Sequence, residues 1–214
     1  MSEHQHSGPV HDPHSAAGWE ARYADEPVWS GNPNGALVAE VTGMTPGRAL
    51  DVGCGEGADA VWLAEHGWEV TALDIAGNAV HRTLAAARER GQQVGGVIAP
   101  FAEALLDGPY DLVSCQYPVL ARTADGSTEE KLLDLVAPGG TLLFVHHADI
   151  DPEHARAGGW DPEAFLQPAD VAALVSAHPQ FTLEREERRD RHVSSGNGAG
   201  HHVDLVVRAR RLPA

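Results

Sequence analysis

Lysine is almost missing from this 214-residue chain: Lys131 is the only one among 15 basic residues, set against 31 acidic ones. The formal net charge is −16, and the basic residues form only short clusters such as Arg188-Arg189 and Arg208-Ala209-Arg210-Arg211. Such a surface repels a phosphate-rich polymer at long range, so no nucleic-acid partner is expected. Cysteine is nearly as scarce. Cys54 and Cys115, both in apparent strand ends, read as small buried apolar residues kept reduced in a cytoplasm, not as a disulfide network. No apolar run approaches the ~18–20 residues that span a bilayer. The start, Met1-Ser2-Glu3-His4-Gln5-His6, lacks the basic flank and apolar segment of a secretory signal. A cytoplasmic protein without a membrane partner is expected.

What is present points to one α/β domain. The 43% hydrophobic content is ordinary for a soluble protein, and the length can bury a substantial core. Residues 1–14 are polar, carry four histidines and show no hydrophobic period, so they read as a disordered tail before a single domain over 15–214. From Ala16 a helical turn places Trp19 and Tyr23 on one face. A loop through Pro27, Trp29 and Gly31 follows, then a helix over about Asn34–Thr42.

Strand and helix signals then alternate, the signature of a parallel sheet built from βαβ units. Strands are expected at Arg48–Val52, Trp68–Leu73, Val94–Ile98, Tyr110–Cys115 and Thr141–His147. Helices are expected from Gly57 to about His66, over Asn78–Arg90 with Gly91 as stop, from a capping box at Ser127 and Glu130, and from Pro168 to about Ala177. Ala137-Pro138-Gly139-Gly140 reads as a stop and a turn. The end reads as an antiparallel hairpin, Phe181–Glu187 and His202–Ala209, around a turn containing Ser194-Ser195-Gly196-Asn197-Gly198. The fold class is therefore a Rossmann-like, doubly wound, mostly parallel seven-stranded sheet with a C-terminal hairpin.

The densest chemical signal is Ala49-Leu50-Asp51-Val52-Gly53-Cys54-Gly55-Glu56-Gly57-Ala58. Glycines after a strand and before a helix let the backbone turn sharply and a nucleotide-type cofactor approach closely. Gly53-x-Gly55-x-x-Ala58 also satisfies the dinucleotide pattern, with Asp74 where a carboxylate would bind a ribose diol. The spacing leaves an NAD(P)-dependent oxidoreductase open.

Taken together, Asp51-x-Gly53-x-Gly55-x-Gly57, Asp74, Tyr110-Asp111-Leu112-Val113 and Leu135-x-x-Pro138-Gly139-Gly140-x-Leu142 resemble the successive motifs of class I S-adenosylmethionine-dependent methyltransferases. The likeness covers about Ala16 to Arg211. Trp19-Glu20-x-Arg22-Tyr23…Trp29 and Gly158-Gly159…Pro168-Ala169-Asp170-Val171 look like the small bacterial branch near thiopurine and tellurite-resistance methyltransferases. The resemblance implies S-adenosyl-L-methionine as cofactor. The loop from Asp51 through Gly53, Cys54, Gly55 and Gly57 would hold its methionine part, Asp74 its ribose, and Ile75 its adenine. Many relatives carry an acidic residue just after the third strand. Here Ala99-Pro100-Phe101-Ala102-Glu103 offers Phe101 to flank the ring, with Glu103 the nearest carboxylate. Gln116 would lie near the adenine or the methyl donor.

Methyl transfer rests on orientation and desolvation, and needs a base only where the acceptor must lose a proton. A sulfonium favours aromatic faces, which suits Tyr23 and Trp29 as a lid. His146 and His147 end the fifth strand, and alternation lets at most one of them face the pocket. The histidines His4, His6, His11, His14, His201 and His202 show no fixed metal-ligand spacing, so no metal is expected. Cys115-Gln116-Tyr117-Pro118 lacks the Asn/Asp-Pro-Pro-aromatic pattern of enzymes that methylate DNA amines or protein amides. With the acidic charge, this points to a small-molecule acceptor with a thiol, chalcogen, hydroxyl or amine nucleophile, handled by a monomer or homodimer. A non-catalytic cofactor-binding regulator is the other alternative.

Overall fold

The computed structural model describes residues 15–148, 150–157, 159–192, 196 and 200–214. The 1–14 tail, Gly158 and most of the 194–198 turn lie outside them. Two short helices come first, α1 (Ala16–Arg22) and α2 (Gly35–Val41). Then follow β1 (Arg48–Val52), α3 (Ala58–Glu65), β2 (Glu69–Asp74), α4 (Gly77–Glu89), β3 (Val94–Ile98), β4 (Tyr110–Gln116), α5 (Ser127–Asp134) and β5 (Val136–His147). A short α6 (Pro152–Ala157), a 3-10 turn at Pro162–Ala164, α7 (Pro168–Ala177), β6 (Phe181–Asp190) and β7 (Val203–Arg211) complete the chain.

The strands form one seven-stranded sheet in the order β3-β2-β1-β4-β5-β7-β6. The five strands up to β5 run parallel, and β7 lies antiparallel to both β5 and β6. The α/β reading of the sequence holds, terminal hairpin included. Strand alternation sends Leu50, Val52, Leu142 and Phe144 into a core shared with α5 and α7. Ala49, Val70, Leu143 and Val145 enter the opposite core, under α2, α3 and α4.

Four local expectations change. Ser127 is the first helical residue, not the cap; Gly126 precedes the helix with φ +74°. Thr123 Oγ1 accepts from Thr128 N (3.1 Å) and Asp125 Oδ1 from Ser127 N (3.1 Å), so the capping side chains sit before the expected position. Residues 137–140 do not end the helix in a free turn. They bulge within β5, where β4 advances from Tyr110 to Leu112 while β5 advances from Val136 to Thr141. The loop after β5 carries α6, which lacks a hydrophobic period and so gave no sequence signal. His201 and His202 precede β7 and are not strand neighbours.

The hairpin is tied to α2 by Glu40, whose side chain is only 6% exposed. Arg189 (2.5 Å) and Arg208 (3.2 Å) both reach its carboxylate, and Arg185 approaches to 3.5 Å. Glu40→Ala should lower unfolding stability by roughly 1–3 kcal/mol, less than a fully buried pair costs, because the arginines keep some solvent contact. Urea titration checks this; an unchanged midpoint would show that the hairpin docks without the cluster.

Candidate active site

The chain winds outward from β1 to β2 and β3, then crosses back to β4 on the other side of β1, and this reversal opens a crevice at the carboxyl end of the sheet. The glycine loop occupies that crevice. Gly53 N and Cys54 N both donate to Leu73 O, at 2.8 and 3.0 Å, and fold the chain back over β2. Gly53, Gly55 and Gly57 adopt φ of +75°, +52° and +85°, a region closed to most side chains. A Cβ on Gly57 would fall 2.7 Å from Thr83 Cα; one on Gly55 would crowd Tyr23 Oη and Trp29 Nε1 at 3.2 Å.

Asp74, 8% exposed at the end of β2, holds this loop in place. Its Oδ2 accepts from Gly55 N and its Oδ1 from Ala76 N, both at 2.9 Å. Burial pushes the carboxyls of Asp51, Asp59 and Asp74 above their usual range. Asp59 and Asp74 add to the effect on Asp51, whose Oδ2 is buried without a hydrogen-bond partner. A cavity of about 370 Å³ opens above the loop, lined by Tyr23, Trp29, Gly53, Asp74, Ile75 and Phe101 among others. Cys54 and Gln116 also line it, Gln116 donating to Ser114 Oγ at 3.1 Å. Glu103 is exposed and lies outside the lining. Burial raises both thiols, so Cys54 and Cys115 stay protonated.

Sequence reasoning missed the residues that pin the N-terminal segment across this loop. Glu56 accepts from Val28 N and Trp29 N at 3.0 and 2.9 Å and pairs with Arg82 of α4. Arg82 also donates to the carbonyls of Asp25 and Glu26. Asp59 receives Asn34 N and Nδ2 at 2.7 and 2.6 Å, and Glu20 accepts from Asn78 N at 3.1 Å. Trp29 Nε1 donates to Tyr23 Oη at 3.1 Å. Only the acidic character of the glycine loop hinted at these ties.

At the far end the cavity meets Tyr117, His147 and Arg191. Of the two strand-end histidines, the structure brings His147 to the cavity and leaves His146 outside the lining. His146 is 4% exposed, with its ring 6.2 Å from that of Trp160 on the other face of the sheet. Burial depresses its pKa to about 4. Its Nδ1 accepts from His147 N at 2.9 Å.

Comparison with known proteins names this arrangement. Residues 49–140 match the family model described as a methyltransferase domain. The chain is 30% identical over 148 residues to the ubiquinone biosynthesis O-methyltransferase of Caulobacter sp. (strain K31), covering 62% of this chain and 58% of that one. It is 30% identical over 110 residues to the ribosomal RNA small subunit methyltransferase C of Alcanivorax borkumensis, 49% of this chain and 34% of the relative. The chain thus spans about a third and somewhat over half the length of these two relatives. The N-methyltransferase NodS of Bradyrhizobium japonicum, solved with S-adenosyl-L-homocysteine, shares the fold at TM-score 0.69 and 18% identity, over 94% of this chain and 98% of that one.

The fold is a Rossmann-like methyltransferase fold, and the glycine motif implies S-adenosylmethionine as its cofactor. The residues present fit that cofactor. Nothing lies within 4 Å of where a Gly53 Cβ would project. The orphaned Asp51 oxygen and three buried carboxyls make a field suited to a ligand carrying a sulfonium and an ammonium.

Two outcomes follow for the glycine loop. The raised Asp51 carboxyl adds stability only at low pH, and that contribution is lost as pH rises through its folded pKa. Asp51→Asn should therefore stabilise the ligand-free fold at neutral pH, by on the order of 1 kcal/mol, while weakening S-adenosylmethionine binding. Paired thermal melts and calorimetric titrations read both. Glu56→Gln should speed cofactor release about tenfold, because it loosens the strap (~1.4 kcal/mol), and leave the melting point nearly unchanged; stopped-flow displacement measures the rate.

Proposed function

We propose that the chain transfers the methyl group of S-adenosylmethionine to the thiol, chalcogen, hydroxyl or amine of a small molecule. The observation that carries this reading is the continuity of the cavity. One space of about 370 Å³ runs from the glycine loop to Tyr117, His147 and Arg191, so donor and acceptor ends adjoin. That volume suits a small ligand better than a polymer. The net charge of −16 also argues against ribosomal RNA, the substrate named for one relative.

Within this proposal the Asp51–Gly57 loop, with Cys54, holds the methionine part. Asp74 accepts from the ribose hydroxyls: each of its oxygens takes one backbone N–H and keeps a second lone-pair direction. Ile75 and Phe101 flank the adenine, and Gln116 sits toward the methyl donor. Tyr23 and Trp29 close over the loop with aromatic faces and exclude water. When bound, the cofactor supplies an electrophilic methyl on a sulfonium; the chain's own residues orient and desolvate. The narrower likeness to thiopurine and tellurite-resistance methyltransferases rests on Trp19-Glu20-x-Arg22-Tyr23…Trp29, the segment that forms this cover. A single domain over 15–214, acting in the cytoplasm as a monomer or homodimer, completes the reading.

Calorimetric titration with S-adenosylmethionine and with NAD(H) tests the donor. Binding of S-adenosylmethionine is expected, and Asp74→Ala should weaken it by about 1–3 kcal/mol through loss of charge-assisted hydrogen bonds. Tight NAD(H) binding without S-adenosylmethionine binding would overturn the proposal. Release of S-adenosylhomocysteine across a panel of thiols, selenite, tellurite, halides, phenols and amines tests turnover. Uniform silence despite cofactor binding would favour a regulator.

A further inference from the structure

Beside the acceptor end of the cavity lies a group of polar side chains that cofactor binding leaves unexplained. His147 Nδ1 and Asp204 Oδ1 are each buried without a hydrogen-bond partner, yet they are 3.5 Å apart. Asp204 Oδ2 accepts from Tyr117 Oη at 2.8 Å, and Tyr117 Oη in turn accepts from Arg191 Nε at 3.0 Å. The guanidinium of Arg191 sits 5.1 Å from the centroid of the Tyr117 ring. Tyr117 holds φ at +52°, the only described non-glycine residue with positive φ, and sits immediately after β4. Strain of that kind persists where surrounding contacts hold it, and it gathers at functional sites. The His147 ring stacks on Tyr117 at 4.3 Å and on His201 at 3.9 Å.

A carboxylate can only accept, so a bond between the two orphaned atoms requires the proton on Nδ1. Nε2 then carries the lone pair. Stacking covers the ring face and Asp204 covers the Nδ1 edge, which leaves the Nε2 edge for the cavity that His147 lines. We infer that His147 is the general base for an acceptor that must lose a proton, with Asp204, Tyr117 and Arg191 as the residues that position it. This rests on the methyl-transfer reading and narrows its substrate class to protic nucleophiles, a hydroxyl or a neutral thiol.

In the step, the O–H or S–H bond of the acceptor breaks and its proton passes to Nε2. The electron pair left on the heteroatom becomes the bond to the methyl carbon, and the former carbon–sulfur pair stays on the donor sulfur. The imidazolium so formed faces Asp204, which stabilises it. The surroundings keep His147 in its base form beforehand. Burial lowers its pKa, as do His201 and Arg191, against the opposing pull of Asp204. His146, its neighbour on β5, is buried with its own pKa lowered, and the Tyr117 phenol is raised by burial and by Asp204.

The tautomer can be read without any acceptor. Long-range ¹H–¹⁵N spectra of the ligand-free protein at pH 8, with the His147 signal assigned by its loss in His147→Gln, should show a protonated Nδ1 and an unprotonated Nε2. Asp204→Asn should shift the proton to Nε2, and Tyr117→Phe, which removes only a hydroxyl, should shift part of the population. A wild-type ring protonated at Nε2 alone, or at both nitrogens, overturns the inference. Turnover gives the second arm, with phenol and ionised thiophenolate as probes and S-adenosylhomocysteine release as the readout. Asp204→Asn should cut the phenol-to-thiophenolate rate ratio about a hundredfold; an unchanged ratio counts against the base. Wild-type protein that turns over neither probe counts against the proposed function alone, since the tautomer still decides the role of His147.

Discussion

The carboxylate of Asp74 accepts from the backbone of both loops that meet at the cofactor end of the sheet, Gly55 from β1 and Ala76 from β2. That bridge joins the Gly53 and Cys54 amides on Leu73 O and the Thr83 hydroxyl on Gly55 O in holding the glycine turn. It fixes the height of the loop above the strand ends, and so the floor of the cavity. The bridge also has a cost, because burial raises the carboxyl above its ordinary range. With Asp51 and Asp59 it concentrates negative character where a cationic donor is to sit. In the proposed reading, the same three side chains set the stability of the empty protein and its affinity for a sulfonium, in opposite senses.

The donor side was legible because its signals are local. Three glycines within five residues, an aspartate ending the next strand and a proline-glycine-glycine step each carry their meaning in adjacent positions. The succession of strands and helices followed from alternating hydrophobic runs. The acceptor side was not legible, because its pairings cross the whole chain. Tyr117 meets Asp204 over 87 positions and Arg191 over 74, and Glu56 meets Val28 over 28. Nothing in the local pattern marks Asp204 as anything but a polar residue on a strand. The histidine pair shows the boundary between the two cases. Period-two alternation said that at most one of His146 and His147 faces the cavity, and only the packing of Trp160 on one side of the sheet and Tyr117 on the other says which.

The errors were physical as well. A Ser-x-x-Glu pattern does form helix caps in general, but here Thr123 and Asp125 reach the first amides before Ser127 can. The Pro138-Gly139-Gly140 step carries a turn signal and turns locally, yet β4 continues alongside it and absorbs it as a bulge. Local propensity was right in both places and was outcompeted by a neighbouring segment.

The two ends of the cavity also differ in which part of the fold supplies them. Glycine loop, carboxylates and aromatic cover come from α1 through β2, whereas Arg191, His201 and Asp204 all sit at the turn end of the β6–β7 hairpin. That hairpin joins the sheet along one edge, through β5, packs against α7 and meets α2 through Glu40. Its turn touches the donor side at Gly196, where a Cβ would fall 2.7 Å from Ser30 N, while the side chains of Arg191, His201 and Asp204 face the other end of the cavity. The hairpin is in effect an exchangeable cassette, and a lineage could move from one acceptor to another by editing it while the methyl-donor half stays as it is.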